Sequence, residues 1–406
     1  MPLTTNWEKI VSTSSKRRFR RVSGRIVAAA LCATVVGLSG PDAGATVGDT
    51  VTFANIGDVP YTSAQTALMA NFTAHINADP DVSFVAHSGD FKGGSDVCTD
   101  AAFNSTFASF QTFADPFWYT PGDNDWTDCH RNNNGNFQPA NRLAKVRSLY
   151  FATPGQTTGG TPMAVTTQAN SAVVADNVHV ENTWFNKKCV TFGAIHSVSS
   201  NQGYLDPNYA TNSSTYPVET VGEKAARYAE VDARIAADVR WLDAIFAAAD
   251  ANVSDAVFLM MQAEPSLGPV DNDKVFGTEF VDIHNKIYAL AASHPNMQVV
   301  IAHGDQHNNL WQPNYGGSTA PNIARLENWG SNTGGVLAVT KWQKVTATCG
   351  TPGTPATFSV VDQTVQAIPS PVVPEGPLTL GVLTIGGVGA VYLALRGRRR
   401  SNSAFA

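Results

Sequence analysis

Three Gly-Asp pairs and one histidine-bearing segment hold the side chains with most chemistry to offer: Gly57-Asp58, Gly89-Asp90, Gly122-Asp123 and His303-Gly304-Asp305-Gln306-His307. Each follows a short apolar run of strand type. Carboxylates are hard oxygen ligands and imidazole is a borderline nitrogen ligand, so such residues on loops at one sheet edge make a site for divalent metals. Two ions a few ångströms apart need a bridging carboxylate plus terminal oxygen and nitrogen ligands. A pair of that kind binds a phosphoryl group, activates water near neutral pH and stabilises both oxygens of an in-line displacement. One Gly-Asp pair is ordinary turn chemistry. Several in order, each at a strand end, point to a site.

The elements that must position these residues are legible in outline. Val51 to Ile56, Val82 to His87 and Pro116 to Tyr119 read as strands, with helical spacing over Ser63 to Ala78 and around Phe103 to Phe113. Strand and helix therefore alternate, with an aspartate just beyond each strand, as in a mostly parallel sheet whose ligands gather at the carboxyl ends of its strands. A short helix is expected near Arg142 to Tyr150, and paired strands over Val178 to Trp184 and Cys189 to His196. Gly222 to Ala249 is a helix with Tyr228, Val231, Ile235, Val239, Leu242 and Phe246 on one face. Ala256 to Met261, Val299 to His303, Val336 to Val345 and Phe358 to Val365 read as strands, and Phe280 to Ala292 as a helix. One domain is expected over residues 46–368.

Ile56-Gly57-Asp58-Val59-Pro60-Tyr61, Ser88-Gly89-Asp90, Pro121-Gly122-Asp123-Asn124-Asp125-Trp126 and the His303 to His307 segment resemble the ordered motifs of calcineurin-like metallophosphoesterases. The likeness is to a bacterial branch with Gly-Asp-x-Pro-Tyr in the first motif and Gly-Asp-Asn-Asp/Glu-Trp in the third. It implies an α/β fold, a β-sandwich of two sheets flanked by helices, with a dinuclear centre that hydrolyses phosphoesters by metal-activated water. Carried over by motif, Asp58 binds the first metal, Asp90 bridges both and His307 completes the first. Asp123 stands where most members place Asn on the second metal, and Asp305 where a Gly-His-x-His motif has its first His. After the Ala256 to Met261 strand, where a His is usual, either Gln262 or Glu264 could ligate.

The departures from that pattern are chemical. Pro60 replaces the His of the first Asp-x-His. Asn124 occupies the place of a general-acid His, and a carboxamide has no proton to give, a contribution typically worth about 10²–10⁴-fold. His303 and His130 are the candidate replacement acids, whereas His87 reads as a core residue. Asn201 is a candidate substrate contact, with a plain loop residue as the alternative, and Trp126 a candidate pocket wall. The oxygen-rich ligand set shifts preference from zinc towards manganese, magnesium or calcium, with iron or zinc also open. The rival reading, from a different class, is a surface binding or structural protein that keeps the fold with a degenerate metal site. No Gly-x-Ser-x-Gly elbow supports a serine hydrolase.

Residues 1–45 read as a signal peptide: a basic block from Lys16 to Arg25, an apolar run from Ile26 to Gly40, then Ala43-Gly44-Ala45. At the other end comes a proline-rich linker, residues 369–377. The 18 uncharged residues 378–395 are about long enough to cross a bilayer, and the arginine-rich tail, residues 396–406, favours the cytoplasmic side. Val373-Pro374-Glu375 before this span resembles a PEP-CTERM sorting tail, so a membrane and a sorting protease are the expected partners besides a phosphoester substrate. Residues 46–374 hold 16 Lys and Arg against 30 Asp and Glu. A body this acidic repels nucleic-acid backbones. Four cysteines remain after residue 45, and an exported chain would pair them. Cys98 with Cys129 is the expected bridge, since both follow motif loops that should meet at one sheet end; Cys189 and Cys349 either pair or stay as thiols.

Overall fold

A computed structural model describes residues 45–204, 220–264, 280–330, 332–333, 336–351 and 353–365. The leader before Ala45 and the linker, apolar span and tail expected from residue 369 onward lie outside the described residues. Among the described residues no helix is long and apolar enough to cross a membrane.

The chain folds as a mixed α/β structure around two sheets. The first contains β1 (Thr50–Ile56), β2 (Val85–His87), β3 (Pro116–Tyr119), β4 (Thr158–Gly159), β14 (Lys341–Thr348) and β15 (Thr357–Thr364), in the order β15-β14-β1-β2-β3-β4. The second contains β5 (Thr166–Thr167), β6 (Thr183–Lys187), β7 (Val190–Ala194), β8 (Ala256–Met260), β9 (Gln298–His303), β10 (Leu310–Gln312) and β11 (Ile323–Glu327), in the order β10-β11-β9-β8-β7-β6-β5. A short hairpin joins β12 (Asn332–Thr333) to β13 (Val336–Leu337).

Alternation along the strands sends one set of side chains inward and the other onto helices. Phe53 and Phe84 from the first sheet meet Phe192 and Phe258 from the second, with Phe53 stacked on Phe84 at 4.8 Å and edge-on to Phe258 at 4.9 Å. The outer face of the first sheet packs on α1 (Ser63–Asn77), α2 (Asp100–Phe110) and α3 (Pro139–Tyr150); that of the second packs on α4 (Val221–Ala251) and α5 (Val281–Ser293). Local chemistry starts these helices. Thr62 and Thr99 accept from the backbone N–H of Gln65 and Ala102, Pro139 sits in the first turn of α3, and Thr220 with Glu223 forms a capping box for α4.

Strand register places the loops. β1, β2 and β3 run parallel, with Ile56 level with His87 and His87 level with Tyr119. β7, β8, β9 and β11 are likewise parallel, with Ala194, Met260, Ala302 and Leu326 level. All seven carboxyl ends therefore open on one edge of the sandwich. Both disulfides are formed. Cys98–Cys129 ties the loop after β2 to the loop after β3, and Cys189–Cys349 joins the start of β7 to the end of β14, at the opposite end from the aspartates.

Three expectations need correction. The strand expected from Val178 begins at Thr183, because Val174–Val178 form a 3-10 turn. The run Val336 to Val345 is broken by a second 3-10 turn, Ala338–Thr340, before β14. Tyr228 is exposed, although Val231, Ile235, Leu242 and Phe246 of the same face are buried.

The inter-sheet core and one buried ion pair generate testable consequences. Phe53→Ala should cost about 3–5 kcal/mol, read as a lower denaturant midpoint with retained circular dichroism; an unchanged midpoint would remove Phe53 from the core's centre. Glu181, fully buried, accepts from Arg147 at 2.9 and 2.6 Å and from His196 Nδ1 at 2.7 Å. Burial alone would push its carboxyl up, but Arg147 and His196 outweigh it and hold it well below the usual range. A depressed carboxylate contributes stability above its unfolded pKa and loses it as pH falls through the folded one. Glu181→Gln should therefore destabilise by about 3–5 kcal/mol at neutral pH and flatten the acid limb. Parallel stability–pH curves for the two proteins would contradict this.

Candidate metal centre

Asp58, Asp90 and Asp123 sit two to four residues beyond β1, β2 and β3, all buried. The loop after β9 adds Asp305 and His307. Carboxylate oxygens of Asp90, Asp123 and Asp305 lie within 4.8 Å of one another, and His307 Nε2 is 3.3 Å from Asp58 Oδ1. Asp58, Asp90, Asp305 and His307 all take positive φ, between 52° and 73°. Such backbone costs roughly 1–3 kcal/mol per residue and persists where the surroundings over-determine it. Gly122 is required by close approach, since a Cβ there would stand 2.0 Å from Asp90 Oδ1.

Asp125 builds the frame. Its carboxylate accepts from the backbone N–H of Asp90 (2.9 Å), Phe91 (2.8 Å) and Gly122 (2.8 Å) and from the Tyr119 hydroxyl (2.7 Å), locking the second and third loops together. Tyr61 is held by its backbone N–H on Gln65 Oε1, and its hydroxyl lies 3.0 Å from Asp58 Oδ1 and 2.9 Å from Asp90 Oδ2. Asn124 Nδ2 donates to the Tyr61 oxygen at 3.0 Å and to Asp90 Oδ2 at 2.9 Å. Asn328 Nδ2 donates to Asp58 Oδ2 at 2.8 Å, and Ser200 Oγ lies 2.8 Å from Asp123 Oδ2.

The electrostatics are those of carboxylates short of positive charge. Burial and then repulsion from Asp123, Asp125, Asp58 and Asp305 push Asp90 well above the carboxylate range. Asp123 is driven the same way by burial, Asp128 and Asp305. For Asp58, burial is outweighed by His307, Asn328 and the Asp305 N–H, so its carboxyl falls below its usual value. Burial would depress His307, yet Asp58 raises it. A cluster of oxygen donors pushed towards protonation by one another fits a hard divalent cation, whose charge removes the repulsion. Asp58, Asp90, Asp123, Asp305 and His307 could hold it.

Other assignments from the sequence land elsewhere. Gln262 reaches the centre with its nitrogen: Nε2 lies 2.9 Å from Asp123 Oδ1, 3.2 Å from Asp90 Oδ2 and 3.3 Å from Asp305 Oδ1, while Oε1 accepts from the Ser199 N–H at 2.7 Å. Held that way, it donates rather than ligates. Glu264 pairs with Arg325 at 2.7 Å and is not among the carboxylates grouped with Asp90, Asp123 and Asp305. His303 is fully buried, with Arg325 Nε donating to its Nε2 at 2.8 Å and its Nδ1 on the Gly304 carbonyl; burial and Arg325 push it down to about 3. Its one N–H is engaged by the Gly304 carbonyl and its other ring nitrogen by Arg325. His130 is buried with Nδ1 on the Thr127 carbonyl at 2.6 Å, and burial lowers its pKa. Trp126 is core, packed with Leu143 and Val198, instead of a pocket wall. Ser200, one residue before Asn201, is the contact from that turn. Tyr61, Asp125, Ser200 and Asn328 had no role assigned from sequence, although Tyr61 and Asp125 lie inside the quoted motifs.

No family model and no curated protein sequence matches this chain. Among solved structures it aligns with the structure of PhoD at 10% identity and a TM-score of 0.41, over 80% of this chain and 74% of that one. It also aligns with GAP50, the anchor in the inner membrane complex of Plasmodium, at 10% identity and a TM-score of 0.39, over 78% and 90% of the respective chains. At that distance the chemistry has to be argued from this chain's own residues.

Gln262 separates two roles. If its amide bridges carboxylates, Gln262→Leu should destabilise the metal-free protein by about 1–3 kcal/mol and enlarge the thermal stabilisation produced by added manganese. A ligand's loss would do the reverse, weakening the manganese response while leaving the metal-free protein unchanged.

Proposed function

We propose that this chain is an exported, metal-dependent phosphoesterase. The observation that carries the reading is the convergence of Asp58, Asp90, Asp123, Asp305 and His307 at the carboxyl edge of two parallel strand sets. Divalent cations bound there would supply a Lewis acid for a phosphoryl oxygen and make a water easier to deprotonate. Asp90, flanked by Asp58 through Tyr61 and by Asp123 directly, is placed to serve both halves of the site. Asp125 fixes Asp90 by its backbone, and Asn328 and Ser200 fix Asp58 and Asp123.

Asn124 lies against Asp90 where a proton donor would be useful, and it can only donate a hydrogen bond. Leaving groups must then depart largely as anions, which favours acidic alcohols. The two disulfides suit an oxidising compartment. With the leader and terminal span read from the sequence, they support export to the outer face of a membrane, with later handling by a sorting protease.

A second reading has its own support. Tyr61, Asn124 and Gln262 place neutral donors against Asp90 and Asp123 where histidines or metal ions would otherwise stand, as a fold kept for binding without catalysis could do.

A manganese-loaded assay on aryl and alkyl phosphates tests the proposal. Aryl phosphate should turn over, Asp90→Asn should abolish the turnover, and rates across a leaving-group series should climb steeply as the alcohol becomes more acidic. A flat series would restore a general acid. A protein that binds no metal and stays inert with every added ion would favour the binding protein.

A further inference from the structure

Among the described residues, the loops that carry Asp58, Asp90, Asp123 and Asp305 hold two full cations, Lys92 and Arg131. Lys92 is buried, its ammonium donating to the Gly93 carbonyl at 2.9 Å. Arg131 is different: its side chain is 37% exposed, yet it is anchored to a buried partner, with Nη1 2.6 Å from Asp128 Oδ2. Asp128 is itself fixed. Its other oxygen accepts from Ser200 Oγ at 2.8 Å, and the same hydroxyl lies 2.8 Å from Asp123 Oδ2. The guanidinium is thereby tied to the carboxylate centre through two side chains. Both it and Asn124 lie against Gly94, where a Cβ would stand 2.9 Å from Asn124 Oδ1 and 3.3 Å from Arg131 Nη1. Asn124 touches Asp90 with its amide nitrogen, so Arg131 stands beside the residue that fills the general-acid place.

We propose that Arg131 is the oxyanion-binding residue of this site and selects phosphomonoester dianions over diesters. The inference rests on the phosphoesterase reading and names its substrate class. A guanidinium presents five N–H donors in a planar fork that matches phosphate oxygens, and Asp128 uses only part of it. A monoester offers one more charged oxygen than a diester. In a body with 30 acidic and 16 basic residues over 46–374, a dianion needs such a countercharge more than a monoanion does.

The test measures binding of inorganic phosphate to the manganese-loaded protein, with metal content determined for the wild type, Arg131→Lys and Arg131→Met. Metal content should be equal in all three. Phosphate affinity should fall roughly 10- to 100-fold in Arg131→Met, the loss expected for a charge-assisted hydrogen bond, and less in Arg131→Lys. The KM for an aryl phosphomonoester should rise with it, while that for an aryl phosphodiester changes little. Arg131→Met binding phosphate as tightly as the wild type overturns the role of Arg131 and leaves the phosphoesterase reading standing. So does a parallel loss of metal, which would mean that Arg131 acts only by holding Asp128, Ser200 and Asp123. A metal-loaded wild type that neither binds phosphate nor turns over any phosphoester sinks the functional reading and this proposal together.

Discussion

Carboxylates forced together in a buried place repel one another, and most of what is distinctive in this structure answers that repulsion. Parallel register brings the strand ends Ile56, His87 and Tyr119 level, the loops just beyond them carry Asp58, Asp90 and Asp123, and the second sheet adds Asp305. Like charges at such separations cost several kcal/mol even at an intermediate dielectric. The fold offsets the cost with fixed donors: backbone N–H groups, the amides of Asn124, Gln262 and Asn328, the hydroxyls of Tyr61 and Ser200, and the imidazole of His307. The balance is uneven. Asp58 is satisfied enough to fall below its usual pKa, whereas Asp90 and Asp123 are not. That residual imbalance is the physical argument for a cation.

Such a site needs a rigid support, because four of its five candidate ligands sit on left-handed backbone. The support is the sandwich behind it. Phe53, Phe84, Phe192 and Phe258 lock the two sheets face to face, and Cys189–Cys349 closes the end remote from the aspartates. Loop-to-loop hydrogen bonds finish the task at the near end: the Asp58 N–H donates to the Gly89 carbonyl, and the Asn328 N–H to the His303 carbonyl. Loops from different strands are thus tied to one another.

How much of this was legible in the sequence depends on what each residue advertises. Gly-Asp at a strand end is visible because turn chemistry and strand pattern coincide, so the loops of the first sheet could be placed from residue types alone. The strand β11 was not visible. Its residues Arg325 and Glu327 are charged yet buried, and a half-polar run of five residues does not read as a core strand. Missing it hid three facts at once. Arg325 occupies His303 and Glu264, and the chain emerges from β11 at Asn328, against Asp58. Ser200 and Asn201 could not be told apart either, because which of two neighbours faces inward depends on a turn in which both have positive φ.

The first motif shows why a missing ligand does not leave a hole. Where the resemblance leads one to expect histidine two residues after Asp58, the chain has Pro60, and the next residue supplies the polar atom. The Tyr61 hydroxyl lies between Asp58 and Asp90, edge-on to His307 at 5.4 Å. Burial and the charges of Asp58, Asp90 and Asp123 push its phenol well above the ordinary tyrosine range, so it stays protonated, with its one proton available to either carboxylate in turn. A neutral phenol is a weak substitute for imidazole as a ligand but a good one as a spacer, able to hold the carboxylates apart when no ion is present. Tyrosine, Asn124 and Gln262 thus form one set of uncharged donors where the resemblance calls for histidines. The consequence is a centre whose carboxylates are held in place by neutral donors without a cation.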